Sequence, residues 1–225
     1  MKLMRKSRGF TLIELLVVVA IIALLAVGVF PLYSKIMLEM KAKSAMKQAY
    51  QIHQALFAYA QGSDQVFPNE APGGGTITAS NDAYRQLFVK GLIDDEKLFY
   101  VQGCAYHGDK KTDGDIGTAE SNFEKAVGPG ENHWGYVKGL ASDRDDSTLP
   151  IVMDGGETPG KWSRDPKAKG GVWKGRFAIT VRIGGNAKVN DLDSTLTVKD
   201  KKDGTEVDIF SDTYGTVVEN VVDPN

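Results

Sequence analysis

The chain of 225 residues has few of the residues from which catalytic and metal sites are usually built. It contains one cysteine, Cys104, and three histidines, and its formal net charge is -2. A single cysteine excludes an intramolecular disulfide, and the small net charge provides no basic field of the kind that attracts nucleic acid. The sequence has no Gly-x-Ser-x-Gly, His-Glu-x-x-His or phosphate-loop motif. These absences predict that the chain is not an enzyme and that nucleic acid is not a partner.

One apolar run, residues 10–32, dominates the N-terminal region, and Glu14 is its only charged residue. As a helix this run would be about 34 Å long, which is enough to cross the core of a bilayer. Basic side chains crowd the residues before it, namely Lys2, Arg5, Lys6 and Arg8. The pattern predicts a single membrane pass, with the N-terminus on the cytoplasmic side and the C-terminal domain outside.

Three simpler interpretations compete for this run. It could be a cleaved secretory signal peptide, with residues 26–28 (Ala-Val-Gly) as the cleavage site, a plain single-pass anchor, or a buried core helix. Glu14 argues against the signal peptide and the plain anchor, because an ionised carboxylate is costly in lipid and needs a partner.

The next segment, residues 33–61, has no turn signal and continues as an amphipathic helix. Small and apolar residues recur there at steps of three and four between lysines and glutamines. They are Ala42, Ala45, Ala49, Ile52, Leu56 and Tyr59. A discarded signal peptide would have no reason to run in register into such a helix. The sequence therefore predicts one long helix, transmembrane over 10–32 and amphipathic over 33–61, which Gly28 and Pro31 loosen or kink.

The residues around Glu14 resemble the processing motif of type IV prepilins and type II secretion pseudopilins. The matching stretch is Arg-Gly-Phe-Thr-Leu-Ile-Glu, from Arg8 to Glu14. The resemblance implies that residues 1–9 are a leader peptide, that a prepilin peptidase cuts after Gly9, and that the new amine of Phe10 is methylated. It also implies that Glu14 neutralises this amine on a neighbouring subunit. A buried ammonium would be costly without a carboxylate, so the pair would set the axial register.

The same resemblance implies a structural role. Subunits of this family assemble with identical or related subunits through an inner-membrane assembly platform, and Pro31 falls where many members have a helix-breaking proline. The leading interpretation is a pseudopilin of a type II secretion system. The alternative is a surface type IV pilin for adhesion, motility or DNA uptake, and a membrane-tethered periplasmic ligand-binding or catalytic domain is less favoured. The lack of a cysteine pair favours the first, because many surface pilins close a C-terminal loop with a disulfide. A weaker resemblance of residues 81–139 to pseudopilin-like proteins favours it too.

Residues 62–225 are predicted to form one globular domain. A short helix is predicted over 81–93, capped by Ser80 or Asn81. Strands are predicted at 97–101, 134–140, 149–153, 176–183 and 196–199, with a hairpin tip at 199–204. Alternating apolar and polar residues predict that the strand at 176–183 is half-buried. The predicted fold class is α+β and pilin-like, with a long N-terminal α-helix packed on a small antiparallel β-sheet with long loops.

One acidic loop has the spacing of a calcium site. Its candidate ligands are Asp109, Asp113, Asp115 and Glu120. Gly114 fits the turn of such a loop, but Lys111 occupies a ligand position and no clear helix precedes it. A solvated acidic loop is the favoured interpretation, so no resident metal or cofactor is predicted and calcium is the minor alternative.

The remaining candidate ligands are isolated along the chain. Cys104 and His107 have a spacing that metal ligands use, but two ligands are too few for a site. His53 and His133 are predicted to be packing or surface residues. The tryptophans could form a sugar-binding platform, although core packing is their commoner use.

Overall fold

The structure is a computed structural model that describes residues 10–108 and 112–225, without the side chains of residues 27–32. Helix α1 runs from Leu12–Gln61. The chain divides after Lys41 into two compact units. The first unit contains the N-terminal part of α1, and the second contains the rest of α1 and the globular domain.

In the first unit, α1 presents apolar side chains outward. Leu12 is 88% exposed and Leu24 is 77% exposed. A contiguous apolar surface of this kind marks an interaction site in a folded protein. Among the described residues, no helix combines the length and apolarity needed to cross a membrane. The predicted loosening or kink at Gly28 and Pro31 falls in residues 27–32, whose side chains the structure does not describe.

In the second unit, α1 packs on the β-sheet as the amphipathic pattern predicts. Its buried face consists mainly of Ala42, Ala45, Ala49, Ile52, Leu56 and Ala60. Tyr59, which was predicted on this face, is half-buried. His53 is also buried there, and its Nε2 lies 2.8 Å from the carbonyl oxygen of Ile183. The predicted helix packed on an antiparallel sheet is therefore confirmed.

Seven strands lie in the described part of the chain. They are β1 (Trp134–Val137), β2 (Pro150–Asp154), β3 (Phe177–Arg182), β4 (Ala187–Asp191), β5 (Lys199–Lys202), β6 (Thr205–Asp208) and β7 (Val221–Val222). Five of them form an antiparallel sheet in the order β4-β3-β2-β1-β7. The register pairs Trp134 with Asp154 and Tyr136 with Val222. Strands β1 to β4 are neighbours in chain order, as is usual for consecutive strands, although the long segment 155–176 separates β2 from β3.

Strand β3 is buried on both faces, so the prediction of a half-buried strand was wrong. Ile179 and Val181 are buried as the alternation predicts, but Ala178 and Thr180 are buried as well. Ala178 is small, and the Thr180 hydroxyl accepts a hydrogen bond from Asn190 Nδ2 at 2.9 Å. The second face can therefore be covered without leaving a polar group unsatisfied.

Strands β5 and β6 confirm the predicted hairpin, although its turn is shorter than the predicted tip at 199–204. Asp203 and Gly204 form the turn, with φ values of 52° and 80°. Two consecutive residues with positive φ match the right-handed twist of a hairpin. Strands β4 and β7 were not predicted, because β4 is largely polar and β7 is only two residues long.

Helix α2 (Ser80–Val89) confirms the predicted short helix but differs from it at both ends. Its N-cap is Ala79 and not Ser80 or Asn81. The Asp82 carboxylate accepts the backbone N–H of Ala79 at 3.2 Å and that of Thr78 at 3.0 Å. The Asp82 carboxylate therefore satisfies backbone N–H groups at the start of the helix, as the acidic residue of a capping box does.

The predicted strand at 97–101 was wrong, because Glu96–Phe99 forms a 3₁₀ helix. Its N-cap, Asp95, accepts the backbone N–H of Lys97 at 2.9 Å. A side chain that bonds the backbone two residues later starts a turn and competes with strand pairing.

The buried face of α1 predicts where the globular unit can be separated from the apolar helix. A fragment of residues 35–225 keeps that face whole, and we expect it to be soluble and to unfold cooperatively in circular dichroism. A matched fragment of residues 62–225 lacks Ile52 and Leu56, which contribute about 1.5–3 kcal/mol each when buried. We expect this second fragment to be unfolded. Cooperative folding of the shorter fragment, or aggregation of the longer one, would contradict the prediction.

Candidate functional site

The first turn of α1 carries the residues that the processing motif singles out. The Glu14 carboxylate accepts the backbone N–H of Thr11 at 2.8 Å and the Thr11 hydroxyl at 2.7 Å. The Glu14 N–H in turn donates to the Thr11 hydroxyl oxygen at 3.3 Å. Phe10 is 82% exposed next to this turn, and Gly9 lies outside the described residues.

This arrangement is a capping box, in which two orphan N–H groups of the helix start are satisfied reciprocally. It was not predicted, although the Thr-x-x-Glu spacing of Thr11 and Glu14 is a recognisable signal for it. In the single chain the Glu14 carboxylate is thus bound locally and remains exposed. A negative charge in the first turn is also favoured by the helix dipole.

The structure does not bring the candidate calcium ligands together at one site. Asp109 lies outside the described residues. The Asp115 carboxylate forms an ion pair with Lys125 Nζ at 2.6 Å, and Glu120 lies exposed on a 3₁₀ helix, Ala119–Ser121. Asp113 lies instead beside Glu96 and Glu131. Oxygens of these three carboxylates lie within 4.8 Å of one another.

The carboxylates of Glu96, Asp113 and Glu131 form the group that could hold a metal ion in the described part of the chain. Oxygen ligands of this type suit a hard cation such as calcium. Burial raises the pKa of Glu96, and the neighbouring charges of Glu131 and Asp113 raise it further. Glu96 and Glu131 already accept backbone N–H groups, however, including those of Val127 and Gly128. Backbone donors therefore already stabilise the two buried carboxylates.

A second polar cluster, which the sequence analysis missed, joins Cys104, His133 and Asp154. His133 Nδ1 lies 2.9 Å from Cys104 Sγ, and His133 Nε2 lies 2.6 Å from Asp154 Oδ1. All three side chains are buried. Asp154 ends β2 and pairs in register with Trp134, so the sheet places it beside His133, the residue before β1. Residues so far apart along the chain give no local signal, and only the strand pairing brings them together.

The charge of His133 depends on these two neighbours. Burial would lower the pKa of His133, but the Cys104 sulfur and the Asp154 carboxylate raise it, to about 10. Imidazole between a thiol and a carboxylate can accept the proton of the thiol and hold it. The three side chains therefore have the arrangement of a nucleophile, a base and an orienting carboxylate.

The other candidate residues have structural environments. Both ring nitrogens of His107 meet backbone groups: its Nδ1 lies 2.9 Å from the carbonyl oxygen of Gly130, and its Nε2 accepts the N–H of Val101. Its ring also packs against Tyr100 at a centroid distance of 4.5 Å. The tryptophans, Trp134, Trp162 and Trp173, are at most 2% exposed. Core packing is therefore their observed role, and they do not form an exposed platform.

Comparison with known proteins identifies only the N-terminal segment. Residues 4–30 match the family described as the prokaryotic N-terminal methylation motif. No curated protein and no solved structure matches the chain. The matched segment covers the predicted cleavage position, Phe10 and Glu14, and it supports a structural subunit more than an enzyme. The match supports the resemblance of this N-terminal segment to type IV prepilins and pseudopilins.

Proposed function

We propose that the chain is a structural subunit of a type IV pilus-like filament. The observation that carries the proposal is the methylation motif over residues 4–30, located at the start of a helix that continues to Gln61. A subunit that assembles through such a helix needs an apolar face for its neighbours and a second face for its own domain. Exposed leucines in the first part of α1 and buried alanines in the second part fit this division.

The axial position of each subunit would be set by charge. In the proposed filament, Glu14 leaves its capping box with Thr11 and pairs with the amine of Phe10 on a neighbouring subunit. An ammonium in an apolar interface is costly unless a carboxylate meets it. A helix packed one turn out of place would leave both charges unpaired, so the pair selects one stagger.

The finer proposal is a pseudopilin of a type II secretion system. The chain has no second cysteine to close a C-terminal loop, and backbone hydrogen bonds hold its last residues instead. Strand β7 pairs with β1, the N–H of Ser80 donates to Asp223 O at 3.1 Å, and the N–H of Gly130 donates to Asn225 O at 3.0 Å. A secretion ATPase and an outer-membrane secretin beside the gene would support this form. Genes for pilus retraction would instead support a surface pilin.

Intact mass of the membrane-associated protein tests the proposed function. We expect cleavage after Gly9 and a mature chain that begins with N-methyl-Phe10. Gly9→Leu should remain at precursor mass, because the peptidase must bring the scissile backbone close and a bulky side chain prevents this. Ser7→Leu, two residues earlier in the leader, is the matched control and should still be cut. A mature chain that begins at Val29 would support a secretory signal peptide and overturn the proposal.

A further inference from the structure

Filament assembly leaves one reactive group without a role, the thiol of Cys104. It is the only thiol in the chain, and its sulfur lies 2.9 Å from Nδ1 of His133. On the opposite side of the imidazole, Asp154 Oδ1 lies 2.6 Å from Nε2. This geometry satisfies the two contacts expected of an activated nucleophile, one from nucleophile to base and one from base to orienting group.

Asp154 is held in place more firmly than packing alone would require. Its Oδ2 accepts the indole N–H of Trp173 at 2.9 Å and the backbone N–H of Ile179 at 2.5 Å. These donors fix the orientation of the carboxylate, and its other oxygen, Oδ1, faces Nε2 of His133 at 2.6 Å. Trp134 contacts the imidazole edge-on with a ring separation of 4.8 Å. The base is thus fixed with Nδ1 facing the sulfur.

The burial of Cys104 restricts which reagents can react with it. The residue is 5% exposed, but the preceding Gln102 and Gly103 are exposed, and the space beside Gly103 is open. Local turns hold the segment, with Cys104 N–H donating to Val101 O at 3.2 Å. A segment held by short-range hydrogen bonds can open locally without unfolding the domain. A hydroperoxide needs a smaller local opening than a bulky disulfide does, so small hydroperoxides are the reagents that this segment favours.

We propose that Cys104 is an oxidation site for small hydroperoxides, with His133 as its base and Asp154 as a positioning residue. The sulfur gives its proton to Nδ1 of His133 and attacks one oxygen of the peroxide. An S–O bond forms and the O–O bond breaks. Hydroxide leaves from hydrogen peroxide, takes the proton from His133 and becomes water; an alkyl hydroperoxide expels an alkoxide, which takes the same proton and becomes an alcohol. The sulfur is oxidised to a sulfenic acid and the peroxide is reduced, so atoms and electrons balance.

The product should persist long enough to be trapped. The chain has no second cysteine to condense with the sulfenic acid, and the burial of Cys104 keeps bulky thiols away. A diketone such as dimedone reacts selectively with sulfenic acids, so intact mass can count one adduct per chain. This site does not depend on filament assembly, and its test uses the purified full chain in detergent.

The decisive measurement compares one protein in two states. The chain is oxidised with hydrogen peroxide either native or unfolded in urea at the same pH, the peroxide is removed after set times, and every sample is then unfolded and labelled with dimedone, so that dimedone access is equal in both arms. Burial alone predicts slower reaction of the native thiol. The proposed site predicts faster reaction by about tenfold or more, because a positioned base typically contributes 10²–10⁴-fold and burial offsets part of it. Equal or slower native labelling would overturn the proposal.

Variants separate the roles of the three residues. Cys104→Ser should take up no dimedone. His133→Gln, verified as folded by circular dichroism, should lose the native acceleration and label no faster than the unfolded chain. An accelerated His133→Gln would overturn the assignment of the base. The ratio of native to unfolded rates in the wild type tests the site even where this variant does not fold.

Discussion

Replacing Glu14 with alanine should leave the protein in the membrane but remove it from filaments. We expect the sheared-filament fraction to fall at least tenfold, because Phe10 amines would lose their partner inside an apolar interface. Stranding one member of a buried ion pair costs about 3–5 kcal/mol. Membrane insertion should be unchanged or improved, because an acidic residue within a spanning helix costs up to about 2.5–3.5 kcal/mol. A plain membrane anchor would gain from the same change, so the two interpretations predict opposite effects.

The capping box supplies the matched controls for this experiment. Glutamine at position 14 can still accept the N–H of Thr11, as in a capping box, but carries no charge. Thr11→Ala removes the hydroxyl that contacts Glu14 at 2.7 Å and keeps the charge. If charge sets the register, Glu14→Gln fails to assemble and Thr11→Ala assembles. Normal filament yield from Glu14→Gln would refute the register role of Glu14, and failure of Thr11→Ala alone would assign the effect to helix capping.

Replacing Asp154 with alanine should destabilise the globular domain by about 3–5 kcal/mol, measured by chemical denaturation of the purified chain. The change leaves His133 without its carboxylate and removes the acceptor of the Trp173 indole N–H. Both groups are buried, so neither can turn to water. Asp191→Ala, at the exposed end of β4 in the same sheet, is the matched control and should change the free energy of unfolding by less than about 0.5 kcal/mol.

The pH dependence gives a second readout for Asp154. The neighbouring Cys104 and Asp154 raise the pKa of folded His133 from its ordinary value of 6.5 to about 10. Stability from this pair is therefore fully present below about pH 6.5 and is lost as the pH rises through about 10. The difference between wild type and Asp154→Ala should narrow over that interval. A constant difference from pH 6 to 10 would show that His133 does not carry the charge.

Periodicity predicted the elements whose pattern is long and consistent. The steps of three and four from Ala42 to Leu56 predict the buried face of α1 because a helix repeats every 3.6 residues. The 3₁₀ helix at Glu96–Phe99 escaped prediction since one side-chain contact, from Asp95, decides it. Strand β7 was not predicted for a different reason. Two residues are too few to show an alternating pattern, and only the pairing with β1 defines this strand.

The candidate sites divide in the same way. A contiguous motif carries Gly9, Phe10 and Glu14, so sequence alone can indicate them. The cluster of Cys104 and His133 depends on the register of β1 against β2, which no spacing along the chain reveals. His133 was accordingly interpreted as a packing or surface residue. The neighbours of Asp113, among them Glu96, also come from distant parts of the chain and not from the acidic loop in which Asp113 lies.

The two edge strands of the five-stranded sheet limit how copies of the chain can associate. One edge, β7, offers only two residues, Val221 and Val222, to an incoming strand. The other edge, β4, carries exposed Lys188 and Asp191. Short edges and charged edge residues both discourage strand addition between molecules. Copies that meet are thereby discouraged from joining through their sheets into amyloid-like aggregates, and the exposed apolar surface of α1 is the route that the proposed filament would use.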